Sequence, residues 1–207
     1  MERMSKAFYL GSYIGVTALI FFLTIAAIVM AVVVPSVKDF QAYAIAGVVL
    51  LIILFIAVII YVLVVTAMMY YKMWGAINDD EMPISPVLAV VLLLIPIVNL
   101  FWTIAVYPLF MKYYNEYIER RTAEVQALKP GLFYAYPALI IVYFVCSIIA
   151  EIAPFIPGST LPLLVAMPFT LVGMAASLAS LVVFLILVAR ICDAVNALPQ
   201  PVGDGVV

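Results

Sequence analysis

The chain has 207 residues, of which 69% are hydrophobic and only 10% are charged, and its mean hydropathy is +1.33. This composition excludes an ordinary water-soluble domain and predicts a multi-pass membrane protein, and the net charge of −2 gives no reason to expect a nucleic-acid partner. Histidine, the commonest metal and haem ligand and general base, is absent, so we expect neither a cofactor nor a metal.

Four apolar segments are long enough to cross roughly 30 Å of hydrocarbon, which takes about 20 helical residues. They cover residues 7–34, 42–70, 132–150 and 161–189. Barrel strands would alternate apolar and polar residues, whereas these segments are apolar on all sides, so they predict transmembrane helices. Cys146 and Cys192 fall at different depths in this arrangement, and we expect both to be free, buried thiols.

Small residues recur every four positions on the first and last predicted helices. Such stripes let helix backbones approach each other closely, either within one chain or between a chain and its partner. The predicted helix-packing residues are Ala7, Gly11 and Gly15 on the first helix, and Gly173, Ala176, Ser177 and Ser180 on the last.

Between these spans lies a fifth uncharged stretch, PVLAVVLLLIPIVNLFWTIAVYPLFM, at residues 86–111. It either crosses the membrane once as a kinked helix or enters and returns as a hairpin. Ser85 followed by Pro86 is a favourable helix start. Pro96 has no N–H to donate, and we expect Asn99 to bond the backbone groups that this break frees.

The nine Lys and Arg residues favour the returning hairpin, because positive charge marks the cytoplasmic ends of spans. A crossing segment puts three cations inside and six outside, or the reverse if the N-terminal segment is outside. A returning segment puts eight inside and only Lys38 outside. The predicted fold is therefore an all-α membrane protein with four spans and a re-entrant hairpin, with a five-helix bundle as the alternative.

Residues 112–129 form the one long polar segment. Its residues Lys112, Glu116, Arg120 and Glu124 alternate in charge at intervals of four, which predicts a cytoplasmic or interfacial helix that ends before Pro130. We expect a single helical domain over residues 1–198, and a flexible tail over 199–207, where there is too little apolar surface to order the chain.

The run MWGAINDDEMPISPVLAVVLLLIPIVNLFW, followed by VYPLFMKYYN, resembles a recurring signature of uncharacterised bacterial multi-pass membrane proteins, grouped as a domain of unknown function. About a fifth of the chain takes part, and Val87 stands where that group often has Gly. The resemblance implies a helical membrane fold in the bacterial cytoplasmic (inner) membrane, and implies no activity. The cation count of the returning hairpin predicts that both terminal segments lie in the cytoplasm. The motif residues are Trp74, Met82, Ile95, Pro96, Asn99, Leu100, Trp102 and Pro108.

The function expected from these features is that of a non-catalytic structural, assembly or accessory subunit, whose partners are the lipid bilayer and other transmembrane subunits or a second copy. The alternative is a small transporter, channel or lipid-handling protein that uses the break at Pro96, Asn99 and Trp102. In that case Glu151 is the candidate ion or proton site, although it also fits a simple position at the water interface. An enzyme would need convergent polar groups in a pocket, and the sequence offers none.

Overall fold

The computed structural model describes residues 3–33, 41–79, 81–121, 124–155 and 162–199. These residues form six α-helices and one 3₁₀ turn and contain no strand, which confirms the all-α class. The helices are α1 (Lys6–Val33), α2 (Gln41–Ala76), α3 (Pro86–Leu94), α4 (Pro96–Arg120), α5 (Pro130–Ile152) and α6 (Pro162–Ala197), and the 3₁₀ turn is Ala153–Phe155.

Four of these helices are long and apolar enough to cross a membrane, namely α1, α2, α5 and α6. They correspond to the four predicted spans. Both α2 and α6 continue beyond the predicted ends, to Ala76 and Ala197. The single charges at Lys72 and Arg190 ended the apolar runs in the sequence, but one charged residue does not interrupt the backbone bonding of a helix.

The chain divides into two compact units. One consists of residues 5–70, which form α1 and most of α2. The other contains the described residues of 1–4 and 71–207, which form the end of α2 and all of α3 to α6. The prediction of a single helical domain over residues 1–198 stays a prediction, and residues 200–207 of the expected tail lie outside the described residues.

Hydroxyl groups connect the two helices of the first unit. The Tyr13 hydroxyl lies 3.0 Å from Thr66 Oγ1, and Ser12 Oγ lies 2.9 Å from the Tyr61 hydroxyl. Each bond joins α1 to α2. These bonds fix the register of α1 against α2.

In the second unit α5 packs along α6, and the predicted small residues of α6 form part of the contact. A Cβ atom placed on Gly173 would lie 3.4 Å from Cys146 Cβ on α5. Ala176 and Ser180 are also buried, whereas Ser177 is exposed. Three of the four predicted packing residues thus share the buried face, because helical rotation turns Ser177 away from it. Both cysteines are buried thiols that form no disulfide, as expected.

The polar segment that follows the hairpin differs from its prediction. The helix ends at Arg120, and residues 124–129 are not helical. The reason is a pair of bonds from one side chain: Asn115 Nδ2 donates to Leu128 O at 3.0 Å, and Leu128 N donates to Asn115 Oδ1 at 2.8 Å. The segment that contains Leu128 therefore lies against α4, and the predicted helix over 112–129 is wrong for residues 124–129. Pro130 opens α5, since it occupies the first turn of that helix.

Candidate functional site: the broken hairpin

The break between α3 and α4 is a single extended residue. Ile95, with φ −88° and ψ 110°, ends α3 and also precedes the first residue of α4, Pro96. At the other end of α3, the Ser85 hydroxyl accepts a bond from Leu88 N at 3.1 Å. The predicted helix start at Ser85 is thus confirmed, and Pro96 opens the second arm, since the first helical position needs no N–H.

The two arms fold back on each other. Trp102 Nε1 donates to Ala89 O at 3.1 Å, although these residues are thirteen positions apart. In one continuous helix such positions would be about 20 Å apart along the axis, beyond the reach of an indole ring. The segment is therefore a hairpin, and the five-helix bundle that was its alternative does not form.

The charged residue that ends α4 leads to the same conclusion. Arg120 Nη2 lies 3.3 Å from Asp79 Oδ2, and Arg120 Nη1 also bonds Glu81 Oε2. Asp79 and Glu81 lie in the turn before α3, so the chain enters and leaves the hairpin at the same end. The hydrogen bond to Glu81 is the main cause that raises the pKa of Arg120, so the guanidinium keeps its charge.

Aromatic rings fix the hairpin against the end of α2. The rings of Trp74 and Trp102 are stacked with centroids 6.1 Å apart and an interplanar angle of 27°. Phe110 meets Trp74 edge to face, and Tyr113 lies tilted against it, each at 6.0 Å. Trp74, Trp102 and Phe110 are buried, so this group, the tryptophan cluster, is the core of the junction between α2 and α4.

One polar atom of this cluster has no partner. Trp74 is fully buried, and its Nε1 is the one buried side-chain nitrogen or oxygen of the described residues that makes no hydrogen bond. A buried N–H without an acceptor costs about 1–3 kcal/mol. The two stacked indoles thus differ sharply, since the Trp102 N–H is bonded across the hairpin and the Trp74 N–H is not.

Asn99 does not make the contact that the sequence predicts. Its side-chain oxygen accepts a bond from the Thr103 hydroxyl at 3.1 Å, one turn further along the same helix. Its backbone N–H donates to Ile95 O at 2.7 Å, which is the first helical bond of α4. The expectation that the Asn99 side chain bonds backbone groups freed at Pro96 is therefore corrected to a bond with Thr103, and the side chain that connects the two arms is that of Trp102.

The tip of the hairpin, residues 94–97, is exposed and apolar. Ile97 is 78% exposed, and Leu94 and Ile95 are also open. Ile95 supplies no side-chain cap to α4, so the N–H groups of Ile97 and Val98 are not capped. The tip thus combines an irregular backbone with an apolar surface.

The other predicted residues belong to α1, α5 and α6 and not to the hairpin. Glu151 is exposed in the last turn of α5, and the described residues hold no cluster of Cys, Asp and Glu side chains fit for a metal. Ala7, Gly11 and Gly15 are all exposed on α1, and a Cβ atom added at Gly11 or Gly15 would meet nothing within 4 Å. These two glycines line an open groove of about 420 Å³ against Ala57 of α2.

Sequence reasoning missed the contacts that hold the hairpin in place. The acidic turn that contains Asp79 and Glu81 and the cation Arg120 were both visible, but their separation of about 40 positions gave no sign that they meet. Trp74 and Trp102 were found only as members of a motif, without a contact between them. No family model, curated protein or solved structure matches this chain.

Proposed function

We propose that this protein is a non-catalytic structural or accessory subunit of a membrane complex, and that it binds another transmembrane subunit through the hairpin tip, residues 94–97. The single observation that carries the proposal is the exposed, uncapped backbone at that tip.

The depth of the tip makes its exposure costly. The first arm, α3, has nine residues, which is about 14 Å of helix and close to half of the roughly 30 Å hydrocarbon layer. Lipid tails cannot bond the free N–H groups at the start of α4. Irregular backbone at this depth is stable only where protein covers it or where it lines water.

The side chains around the tip favour protein over water. Ile95, Ile97 and Phe101 are 43%, 78% and 66% exposed, and all are apolar. A water-filled path is lined by polar groups, whereas a partner helix can pack against these side chains and supply Ser, Thr or Asn groups to the backbone. We therefore favour a partner subunit, or a second copy of this chain, as the cover.

The transporter or channel alternative gains no support from the geometry of Asn99. Its side-chain oxygen is occupied by Thr103 within α4, and the residues beside it at the tip are apolar. Glu151, the other residue on which that alternative depends, is exposed near the end of a span, far along the chain from the hairpin.

Site-specific photo-crosslinking tests the proposal directly. A benzophenone amino acid replaces Ile97 in one variant and Ile59 in the other. Ile59 is a matched control because it is 62% exposed near the middle of α2. After irradiation of native membranes, we expect the Ile97 variant to form a discrete protein adduct and the Ile59 variant to form none.

The adduct is identified by mass spectrometry, and an adduct of twice the protein's mass identifies a second copy as the partner. The proposal is overturned if the Ile97 variant reacts only with lipid, or if both positions give the same pattern of adducts.

A further inference from the structure

A second surface of the protein has the features of a ligand site. A groove of about 580 Å³ lies where α5 begins and α6 ends, between residues 125–133 and one face of α6. This volume falls within the range of about 300–1,000 Å³ that small-molecule sites occupy. We call it the α5–α6 groove, and all of its lining residues belong to the second compact unit.

The charges of the groove favour an anionic ligand. Lys129 and Arg190 line it from opposite walls, and both side chains are exposed. Within the described part of the chain, neither takes part in an ion pair. Asp193 also lines the groove, so its charged side chains are two cations and one anion. Two exposed cations facing a common space attract a phosphate or another anion.

The start of α5 adds partial positive charge to the same space. Lys129 is the N-cap residue of α5, it makes no side-chain cap bond, and the first turn contains no acidic residue. The N–H groups of the first turn therefore have no side-chain acceptor from the cap, and they carry the positive end of the helix dipole. This contribution supplements the two cations and does not replace them.

The groove is apolar on the side nearer the membrane centre. Ile186, one helical turn before Arg190, is 45% exposed and lines the groove with Leu132. Gly131 leaves space open, since no atom lies within 4 Å of the position a Cβ would occupy. A ligand that fits must have an anionic head and an apolar body, and it must lie at the end of two membrane spans.

We infer that the α5–α6 groove binds an anionic phospholipid, with its phosphate between Lys129 and Arg190 and its acyl chains along Ile186 and Leu132. Basic pockets between transmembrane helices commonly hold anionic headgroups. Phosphatidylglycerol has a net negative charge and phosphatidylcholine has none, so the two groove cations favour the glycerol headgroup over the choline headgroup. This site does not depend on the partner proposed for the hairpin tip.

The test compares two double variants with the same loss of charge. Lys129→Gln with Arg190→Gln removes both groove cations, and Lys112→Gln with Arg121→Gln removes two cations outside the groove. Native mass spectrometry of the purified protein measures the binding of dioleoyl phosphatidylglycerol, dioleoyl phosphatidylcholine and inorganic phosphate. We expect the groove variant to bind phosphatidylglycerol about 30-fold more weakly, and the control variant to bind it like the wild type.

A third variant tests the shape of the site without a change of charge. In Gly131→Leu, the leucine side chain fills the open space beside residue 131, and leucine has a higher helix propensity than glycine. We therefore expect this variant to unfold at the same temperature as the wild type and to bind phosphatidylglycerol more weakly. The inference is overturned if both double variants bind phosphatidylglycerol equally, if phosphatidylcholine binds wild-type protein as tightly, or if inorganic phosphate at the same concentration displaces the lipid.

Discussion

At the scale of single residues, the hairpin depends on one side-chain bond across its break. The indole of Trp102 donates to a backbone carbonyl of the opposite arm, while the indole of Trp74, stacked on it, donates to nothing. The two side chains are the same size and share one cluster. Their contributions to stability therefore differ mainly by a single hydrogen bond.

This difference predicts unequal effects of the same substitution. Trp102→Phe removes the donor of the bond to Ala89 O, whereas Trp74→Phe removes an N–H that has no acceptor. Both lose similar ring area. We expect Trp102→Phe to be more destabilising than Trp74→Phe by about 1–3 kcal/mol, seen as a lower apparent melting temperature in detergent.

Asn99→Leu is a useful third variant, because Asn99 bonds only within α4 by its side chain to Thr103. We expect it to lower the melting temperature less than Trp102→Phe does. Equal melting temperatures for the two tryptophan variants would show that the bond to Ala89 contributes nothing measurable.

At the scale of helices, the position of α4 relative to the preceding turn determines which loops share a side of the membrane. The contacts of Arg120 with Asp79 and Glu81 require that residues 79, 81 and 120 lie together. The eight-to-one distribution of cations independently assigns that side to the cytoplasm. The structure supports the shared side, and the cytoplasmic assignment is our proposal.

Single cysteines test this topology in a chain whose two native cysteines are replaced by Ala. We expect cysteines in place of Lys72 and Arg121 to react with a membrane-impermeant maleimide only after the cells are permeabilised. A cysteine in place of Lys38, which lies outside the described residues, should react in intact cells. The hairpin would be contradicted if the cysteines at positions 72 and 121 were labelled from opposite sides of the membrane.

The sequence alone was enough to predict the four spans, the helix start at Ser85 and the return of the hairpin. The spans and the helix start depend on residues that are neighbours in the sequence, and the return of the hairpin depends on the distribution of cations along the whole chain. The partners of Arg120 and Trp102 were not predictable, because they depend on distant parts of the chain meeting. The backbone partner predicted for the Asn99 side chain is wrong because Thr103, one turn away, competes for that side chain, and local sequence does not rank two acceptable bonds.

At the scale of the whole molecule, the two stripes of small residues have different surroundings. Gly173 is in contact with α5, whereas Gly11 and Gly15 are open on α1. Only 6% of an apolar 18-residue stretch of α1 is buried. The α1 stripe is thus available to another subunit or to a second copy, while the α6 stripe holds the chain's own helices together.

This contrast predicts opposite consequences for similar substitutions. Gly11→Leu with Gly15→Leu should leave the monomer folded and should weaken oligomer formation or partner co-purification, since close approach of helices needs small residues. Gly173→Leu should instead lower the melting temperature, because overpacking against Cys146 costs about 1–3 kcal/mol. Size-exclusion chromatography and thermal unfolding measure the two effects. Loss of folded monomer in the α1 variant would assign that stripe to packing within the chain.

The stacking of Trp74 on Trp102 has a spectroscopic consequence. The chain contains only two tryptophans, and their rings lie 6.1 Å apart in one buried cluster. Intrinsic emission excited at wavelengths selective for indole therefore originates entirely at the junction of α2 with the hairpin. Without any attached dye, its wavelength and intensity follow the local polarity and ring contact at this one place, so opening of the hairpin can be followed as it occurs in the native chain.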